Sequence, residues 1–73
     1  MANVKLDTVG LRCPQPVVQV VAKMPSLKKG DVLEVSGDCA TFEEDMRKWC
    51  QRSGKTFLAV NQEGDVKIIS IQF

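Results

Sequence analysis

The sequence predicts a change from a strand to a helix at Gly10-Leu11-Arg12-Cys13-Pro14-Gln15-Pro16. Upstream, residues 4–8 alternate apolar and polar side chains, which is the period of a half-buried strand. Downstream, apolar residues recur at intervals of three and four as far as Met24, which predicts a short helix with one buried face. That face would consist of Val17, Val18, Val21 and Met24, and Pro25 would end the helix. The stretch therefore predicts that Cys13 lies where the helix begins.

A second strand is predicted at residues 32–35, because this segment is rich in β-branched residues and follows a polar turn that contains Gly30. A strand, a helix and a strand in this order normally form a right-handed crossover between parallel strands. Neighbouring parallel strands end at the same edge of the sheet. Cys13 follows the first strand and Cys39 follows the second, so the sequence predicts that both cysteines lie at that edge.

A second helix is predicted from about Phe42, and Gly54 supplies the left-handed position that commonly ends a helix. Thr41 and Glu44 have the spacing of a capping box at its start. Its buried stripe would consist of Phe42, Met46, Trp49, Cys50 and Ser53. Two β-branched and aromatic segments follow at residues 56–60 and 66–73, and the glycine-containing segment 61–65 between them suits a hairpin loop.

The predicted fold is a two-layer α/β sandwich with the element order βαβαββ. Each amphipathic helix needs an apolar surface to cover its buried stripe, so both are expected to pack on one face of a four-stranded mixed sheet. A length of 73 residues leaves no room for a second core. Residues 1–73 are therefore expected to form a single domain.

Composition limits the classes of function. Ten basic and nine acidic residues give a net charge of +1, which attracts a phosphate backbone only weakly, so direct nucleic-acid binding is not expected. The absence of histidine removes the commonest general base. No apolar run approaches a bilayer span and residues 1–12 lack signal-peptide features, so a cytoplasmic location is expected. Three cysteines do not make a disulfide framework, so thiols are the expected resting state.

Cys13 is the candidate reactive residue. Pro14 and Pro16 would fall in the first helical turn, where a missing N–H costs little and the fixed φ suits a helix. The positive end of the helix dipole, the remaining unbonded N–H groups and the adjacent Arg12 would each favour a thiolate at Cys13. An isolated cysteine is more often a small buried filler, but the context from Gly10 to Pro16 favours a reactive thiol.

The sequence resembles the TusA/SirA family of small sulfur carriers over essentially its whole length. The matching residues are Leu6-Asp7, Gly10, Cys13-Pro14-Gln15-Pro16, Gly30-Asp31-Val32-Leu33 and Asp38. The resemblance implies the βαβαββ sandwich. It also implies that Cys13, the cysteine of the Cys-Pro-x-Pro signature, carries sulfur as a covalent persulfide, with no other cofactor, and passes it to a partner protein. Members of the family serve transfer RNA thiolation, molybdenum cofactor sulfuration and sulfur oxidation.

The loop after the second strand departs from the pattern of typical family members. Those carriers have a second aspartate and a proline after the first aspartate, whereas this chain reads Gly37-Asp38-Cys39-Ala40. The departure resembles the YedF and YeeD branch. Cys39 would precede a helix N-terminus that also favours a thiolate, so it could resolve a persulfide by forming a disulfide. A half-buried loop cysteine without a redox role fits the sequence equally well.

The third cysteine, Cys50, lies on the buried stripe of the second helix and is expected to act as a small hydrophobic residue. The spacings of the three cysteines match no common zinc pattern, so no metal site is expected. The candidate site therefore consists of Cys13, the supporting residues Gly10, Arg12, Pro14 and Pro16, and Cys39 as a second thiol.

Three functions stay open. The first is a sulfur carrier, rather than a turnover enzyme, that takes sulfur on Cys13 from a cysteine desulfurase or rhodanese-like donor and hands it to an acceptor protein. The second is a thiosulfate-handling accessory of a membrane thiosulfate transporter, which would use Cys13 and Cys39. The third is a non-catalytic adaptor or RNA-binding module, which the low net charge disfavours. The chain is expected to be a monomer that docks transiently through an apolar patch including Val9 and Leu11.

Overall fold

The computed structural model describes residues 2–73, which form four strands and two helices. The strands are β1 (Asn3–Asp7), β2 (Val32–Gly37), β3 (Thr56–Glu63) and β4 (Val66–Gln72), and the helices are α1 (Gln15–Lys23) and α2 (Phe42–Ser53). A 3₁₀ turn at Met24–Ser26 follows α1, where Pro25 was expected to end the helix. The predicted order βαβαββ is confirmed.

The strands form one mixed sheet in the order β1-β2-β4-β3. β1 and β2 are parallel, with Asp7 opposite Ser36 near their carboxyl ends. β4 is antiparallel to both β2 and β3. Because β1 and β2 are parallel neighbours, the segments that follow them leave the sheet side by side, as the crossover argument predicted.

The core lies between the two helices and one face of the sheet. Alternate residues of β2 and β4 point to that face, and those that are fully buried are Leu33, Val35, Ile69 and Ile71. They form one cluster with Val20 of α1 and with Phe42, Met46, Trp49 and Cys50 of α2. Both helices therefore cover the same face, and the predicted two-layer α/β sandwich is confirmed.

Helix α1 buries a different face from the one predicted. Val18 and Val21 are 50% and 48% exposed, so their expected burial is wrong. Pro16 and Val20 are buried instead, while Val17 and Met24 are partly buried. Since α1 is apolar around much of its circumference, the spacing of its apolar residues alone does not determine which side faces the sheet.

The exposed apolar residues of α1 lie on one side of the helix. Pro14, Val18 and Val21 are separated by four and three residues, so they follow one another along the helix surface. We call these three residues the α1 stripe. The stripe begins immediately after Cys13 and leads away from it along the outside of the molecule.

The start of α2 is also different from the prediction. Thr41 precedes the helix, but its hydroxyl donates to the carboxylate of Asp45 at 3.0 Å and caps no backbone N–H, so the predicted capping box is wrong. Ser53 is exposed rather than buried. Gly54 ends the helix with φ of 75°, which confirms the predicted left-handed cap.

The hairpin loop is shorter than predicted. β3 continues to Glu63, which pairs with Val66, so only Gly64 and Asp65 form the turn and residues 61–63 belong to the strand. A register shift between Phe57 and Ala59 places a bulge in β3. Within residues 2–73, no helix combines the length and the apolar character needed to cross a bilayer.

Asp31 fixes the end of the sheet opposite to the cysteines. Its carboxylate accepts the backbone N–H of Lys28 at 2.9 Å and of Ala2 at 3.1 Å. These two hydrogen bonds, chiefly the one from Lys28, hold the pKa of the Asp31 carboxyl below its ordinary value of 3.8. The resulting stabilisation is present above that value and is lost as the pH falls through the lowered pKa.

Gly37, the last residue of β2, lies against the ring of Phe42. A Cβ at position 37 would stand 2.8 Å from two ring carbons of Phe42, whose side chain is buried. We expect Gly37→Ala to lower the free energy of unfolding by about 1–3 kcal/mol, because the buried ring would have to shift within the packed core. Urea unfolding measures this loss. The smaller side chain in a Phe42→Leu background should remove most of it, and an equal loss in both backgrounds would show that another contact is responsible.

Candidate functional site

Cys13 and Cys39 lie in an open pocket at the carboxyl ends of β1 and β2. The pocket has a volume of about 420 Å³ and is lined by residues 10–13 of the β1–α1 loop and residues 38–41 of the β2–α2 loop. We call it the cysteine pocket. Both cysteines are partly exposed. The structure thus brings the two candidate thiols together where another molecule can reach them.

Buried Thr8 ties the β1–α1 loop to β2. Its backbone N–H and its hydroxyl both donate to the carbonyl oxygen of Ser36, at 2.7 and 2.6 Å. Its own carbonyl oxygen accepts the N–H of Leu11 at 3.1 Å. The chain is therefore anchored just before Cys13. Sequence reasoning missed Thr8 because a threonine at the end of a strand is ordinary in composition.

Asp38 joins the two loops that carry the cysteines. Its carboxylate accepts the backbone N–H of Gly10 at 3.0 Å. Gly10 has a φ of 88°, a conformation that residues with a side chain adopt at a cost. Gly10 therefore gives the β1–α1 loop its shape, and Asp38, the neighbour of Cys39, holds that loop against its own.

The first turn of α1 differs from the prediction in its hydrogen bonding. Pro14 is the N-cap residue and Pro16 is the second helical residue, and the peptide bond between Cys13 and Pro14 is cis. Neither proline has an N–H, and the N–H of Gln15 donates to the carbonyl oxygen of Arg12 at 2.8 Å. These three residues thus offer Cys13 none of the free N–H groups that were expected. Of the two features of α1 that were expected to favour a thiolate at Cys13, free N–H groups and the helix dipole, the dipole is the one that remains.

Cys13 and Cys39 form a disulfide, and their Cα atoms are 5.9 Å apart. This Cα separation is usual for disulfides. The sequence predicted that all three cysteines rest as thiols, whereas the structure joins this pair, because the crossover connection brings together two cysteines that are 26 residues apart in sequence. The pair can exist as a dithiol or as a disulfide, and these two forms differ by two electrons, so the two cysteines can be oxidised and reduced reversibly.

A carboxylate lies close to the sulfur pair. Ligand atoms of Cys13, Cys39 and Asp45 all lie within 4.8 Å of one another. The Thr41 hydroxyl bonded to Asp45 orients this carboxylate. A cation could use the two sulfurs only after reduction, because thiolates are the metal-binding form of cysteine. Sequence reasoning missed Asp45, since acidic residues are common at helix starts.

The other two acidic residues in the first turn of α2 are paired elsewhere. Glu43 forms ion pairs with Arg47 at 3.0 Å and with Lys67 at 3.5 Å. The hydrogen bond from Arg47, more than that from Lys67, holds the pKa of the Glu43 carboxyl below its usual range. Glu44 pairs with Lys48 at 3.1 Å. Of the three acidic residues, Asp45 is the one that lies beside the sulfurs.

Exposed apolar side chains lie beside the cysteine pocket. Val9 and Leu11, the residues predicted to form a patch near Cys13, are 42% and 37% exposed. The α1 stripe lies on the helix that begins at the same pocket. Arg12 is exposed and contributes a positive charge to the pocket rim.

Cys50 lies outside the pocket. Its side chain is buried in the core cluster with 3% exposure, which confirms the prediction that it packs as a small hydrophobic residue. Burial raises the pKa of the Cys50 thiol. Both effects make it a poor nucleophile at neutral pH.

We expect Cys50 to resist alkylation in the folded chain. After reduction, iodoacetamide at pH 7 should label Cys13 and Cys39, whereas Cys50 should be labelled only when urea unfolds the chain, because burial blocks access and disfavours the thiolate. Peptide mass spectrometry assigns the labelled positions. Labelling of Cys50 at the rate of the other two cysteines without urea would contradict its placement in the core.

Comparison with known proteins assigns the chain to a family. The family model described as sulfurtransferase TusA matches residues 4–72. The chain belongs to the TusA family. A candidate sulfur carrier protein of Escherichia coli (strain K12), YedF, is 40% identical over 60 residues, which cover 82% of this chain and 78% of YedF. The candidate sulfur carrier YrkF of Bacillus subtilis (strain 168) is 34% identical over 65 residues, which cover 89% of this chain and 35% of YrkF.

A candidate sulfur carrier protein of Aquifex aeolicus (strain VF5) is 38% identical over 76 residues, covering 99% of this chain and 39% of that protein. The chain thus spans most of YedF but well under half of the other two relatives. The whole cysteine pocket falls within the segment matched to the TusA family. The resemblance drawn from the Cys-Pro-x-Pro signature is confirmed. Membership of the TusA family, a family of sulfur carriers, implies interaction with a protein that donates sulfur and with one that accepts it.

Proposed function

We propose that this chain is a cytoplasmic sulfur carrier in which reduced Cys13 accepts a persulfide sulfur from a donor protein and transfers it to an acceptor protein. The observation that carries the proposal is a partly exposed Cys13 at the start of α1, in an open pocket of a TusA-family chain. The persulfide on Cys13 is the only prosthetic chemistry that the proposal needs.

Sulfur transfer consists of two exchange steps of the same kind. The Cys13 thiolate attacks the outer sulfur of the donor persulfide, the bond between the two donor sulfurs breaks, and the donor cysteine leaves as a thiolate. An acceptor thiolate then attacks the outer sulfur of the Cys13 persulfide, and Cys13 leaves as a thiolate. The dipole of α1 favours the Cys13 thiolate in both steps, first as nucleophile and then as leaving group. Neither step needs a metal or a histidine.

The proposed donor is a cysteine desulfurase or a rhodanese-like protein, and the proposed acceptor serves transfer RNA thiolation, cofactor sulfuration or another branch of sulfur metabolism. The apolar surface around the pocket supports docking to proteins, because Val9, Leu11 and the α1 stripe present exposed hydrophobic side chains beside Cys13. A patch of a few exposed side chains suits a monomer that must leave each partner after transfer. Direct contact with nucleic acid is not proposed, since the net charge is only +1.

We expect Val18→Glu to slow loading of Cys13 by a donor protein but not by a small persulfide. Val18 is 50% exposed, so the change should alter the free energy of unfolding by no more than about 0.5 kcal/mol while placing a charge in the docking surface. Gln19→Glu is the matched control, because it adds the same charge at the next exposed position of α1. Equal loading rates for the two variants with a donor protein would exclude the α1 stripe from docking.

The proposed function is tested by following one sulfur atom. The reduced Cys39→Ser chain, which cannot form the Cys13–Cys39 disulfide, is incubated with a persulfide-loaded cysteine desulfurase, and intact mass and peptide mass spectrometry are recorded without reductant. The expected result is a gain of sulfur that is located on the Cys13 peptide, in the persulfide or as a species derived from it, with Cys50 unmodified. A chain that gains no sulfur, or gains it while Cys13 stays a free thiol, would overturn the proposal.

A second candidate function is supported by the neighbours of Cys13. With Arg12 on the pocket rim and Cys39 beside it, Cys13 could attack the outer sulfur of thiosulfate, which would release sulfite and leave a Cys13 persulfide. In that case the chain would serve a membrane thiosulfate transporter. Thiosulfate supplied as the sole sulfur source should then yield one sulfite for each persulfide formed. Loading by a donor protein without any reaction with thiosulfate would leave the carrier function alone.

A further inference from the structure

We propose that Cys39 is a resolving cysteine that displaces the outer sulfur of the Cys13 persulfide as sulfide and leaves the Cys13–Cys39 disulfide. The inference rests on the proposed function, because it requires a persulfide on Cys13. It adds a second outcome to the carrier cycle. A loaded chain that meets no acceptor releases its sulfur as sulfide. The disulfide that remains leaves no free Cys13 thiol to accept another sulfur.

The geometry of the pocket places the attacking and attacked sulfurs together. The Cα atoms of Cys13 and Cys39 are 5.9 Å apart, within the range in which two cysteines bond without backbone movement. Both side chains are partly exposed, so the displaced sulfur has a path out of the pocket. Cys50, which is buried in the core, cannot substitute for Cys39.

The two loops are held in this arrangement by contacts that do not involve the cysteines. Thr8 binds Ser36 twice, at 2.7 and 2.6 Å, and Asp38 accepts the N–H of Gly10 at 3.0 Å. These contacts persist when the disulfide is absent, because they use other atoms. Cys39 is therefore positioned next to Cys13 before the reaction, and attack within the chain has an entropic advantage over attack by a free thiol.

The reaction balances without an external oxidant. The Cys39 thiolate attacks the Cys13 sulfur, the bond from that sulfur to the outer sulfur breaks, and the outer sulfur leaves with the electron pair as hydrosulfide. The two cysteine sulfurs are oxidised to the disulfide by two electrons, and the outer sulfur is reduced by the same two. The proton lost by Cys39 enters solvent and is matched by the proton that the hydrosulfide takes up. Return to the dithiol requires a dithiol reductant of the thioredoxin class.

The two fates of the sulfur differ in the atom that is attacked. An acceptor protein takes the outer sulfur by attacking it, whereas Cys39 attacks the inner sulfur, the one that belongs to Cys13. The amount of sulfide released therefore depends on whether an acceptor arrives before Cys39 reacts. In a reducing compartment, where disulfides between exposed cysteines are transient, the pair would be reset for another cycle.

The test uses the full reduced chain under anaerobic conditions with a chelator and one equivalent of cysteine persulfide. Sulfide, intact mass and free thiols are followed with time in the wild type, Cys39→Ser, Cys39→Ala and the control Cys50→Ala. In the wild type and in Cys50→Ala, sulfide should appear together with the Cys13–Cys39 disulfide. In both Cys39 variants the persulfide should persist on Cys13, and sulfide release should slow by about 100-fold. This factor compares attack within the chain, at an effective concentration of roughly 1 mM, with attack by a thiol of another chain at about 10 μM protein.

The outcomes separate this inference from the proposed function. Sulfide release from the Cys39 variants at the wild-type rate, with Cys13 fully loaded, would overturn the resolving role and leave the carrier function standing. A stable persulfide on Cys13 in the wild type would overturn it as well. Failure of every variant, including the wild type, to gain sulfur on Cys13 would instead overturn the carrier function and this inference with it. Using both Ser and Ala at position 39 guards against a local packing defect, because Cys39 contacts the edge of the core.

Discussion

Cys13→Ser is expected to abolish sulfur uptake while the chain stays folded. The hydroxyl of serine remains protonated at neutral pH and does not attack a persulfide, whereas a thiolate does. Position 13 is partly exposed and lies outside the core cluster, so the substitution leaves the packing between helices and sheet unchanged. The measurement is the number of sulfur atoms taken up per chain from a persulfide-loaded donor, counted as the gain in intact mass plus the sulfide released, with circular dichroism to confirm the fold. The expected gain falls from one atom to none.

The control for this substitution is another cysteine of the same chain. Cys50→Ala removes a thiol that is buried in the core and should leave sulfur uptake unchanged, even though it lowers stability. Retention of one sulfur atom by Cys13→Ser, located on the Cys39 peptide, would make Cys39 the primary acceptor. That result would contradict the role assigned to the Cys-Pro-x-Pro cysteine.

Reduction of the Cys13–Cys39 disulfide is expected to lower the free energy of unfolding by about 3 kcal/mol. The bond joins positions 26 residues apart, and closing a loop of this length removes entropy from the unfolded chain by about that amount. For a domain of this size the loss should lower the melting temperature by about 10 °C or more. Thermal unfolding with and without a strong dithiol reductant measures it. Because small domains are stable by only about 5–15 kcal/mol, this is a large share of the total.

Chains that cannot form the bond provide the matched control. Cys39→Ser should have the stability of the reduced wild type, and the reductant should leave its melting temperature unchanged. Equal melting temperatures of the oxidised and reduced wild type would contradict the prediction. A loss of stability on reduction in Cys39→Ser would show that the reductant acts elsewhere in the chain.

Most of the fold could be predicted from local sequence patterns. The alternation before Gly10, the prolines around Gln15 and the glycine at position 54 depend on preferences of neighbouring residues, and the structure agrees with the strand, the helix start and the helix end that they indicate. The hairpin was located correctly, but its turn is Gly64-Asp65 rather than the whole segment 61–65. The three residues assigned to the loop in error pair with β4, and that pairing depends on the partner strand.

Part of the candidate site could also be predicted. The Cys-Pro-x-Pro signature singled out Cys13, and the crossover rule for parallel strands placed Cys39 at the same edge. The supporting contacts could not be predicted, because Thr8 and Asp38 each act on a residue 28 positions away. Asp45 could not be distinguished from its two acidic neighbours in the sequence. The orientation of α2 is what places Asp45, rather than Glu43 or Glu44, beside the sulfurs.

The order of the elements, the family and the position of Cys13 at a helix start could be predicted without a structure, because each follows from residues that are close together in the chain. Tertiary packing determines which side of α1 is buried and which is left exposed as the α1 stripe. It also determines that two cysteines expected to be thiols form a disulfide. The physical reason is the same in both cases. The spacing of hydrophobic residues shows that a helix has apolar sides, but the sheet on which it packs determines which of those sides is buried. In the same way, a bond between residues 26 positions apart can form only when β1 and β2 lie side by side.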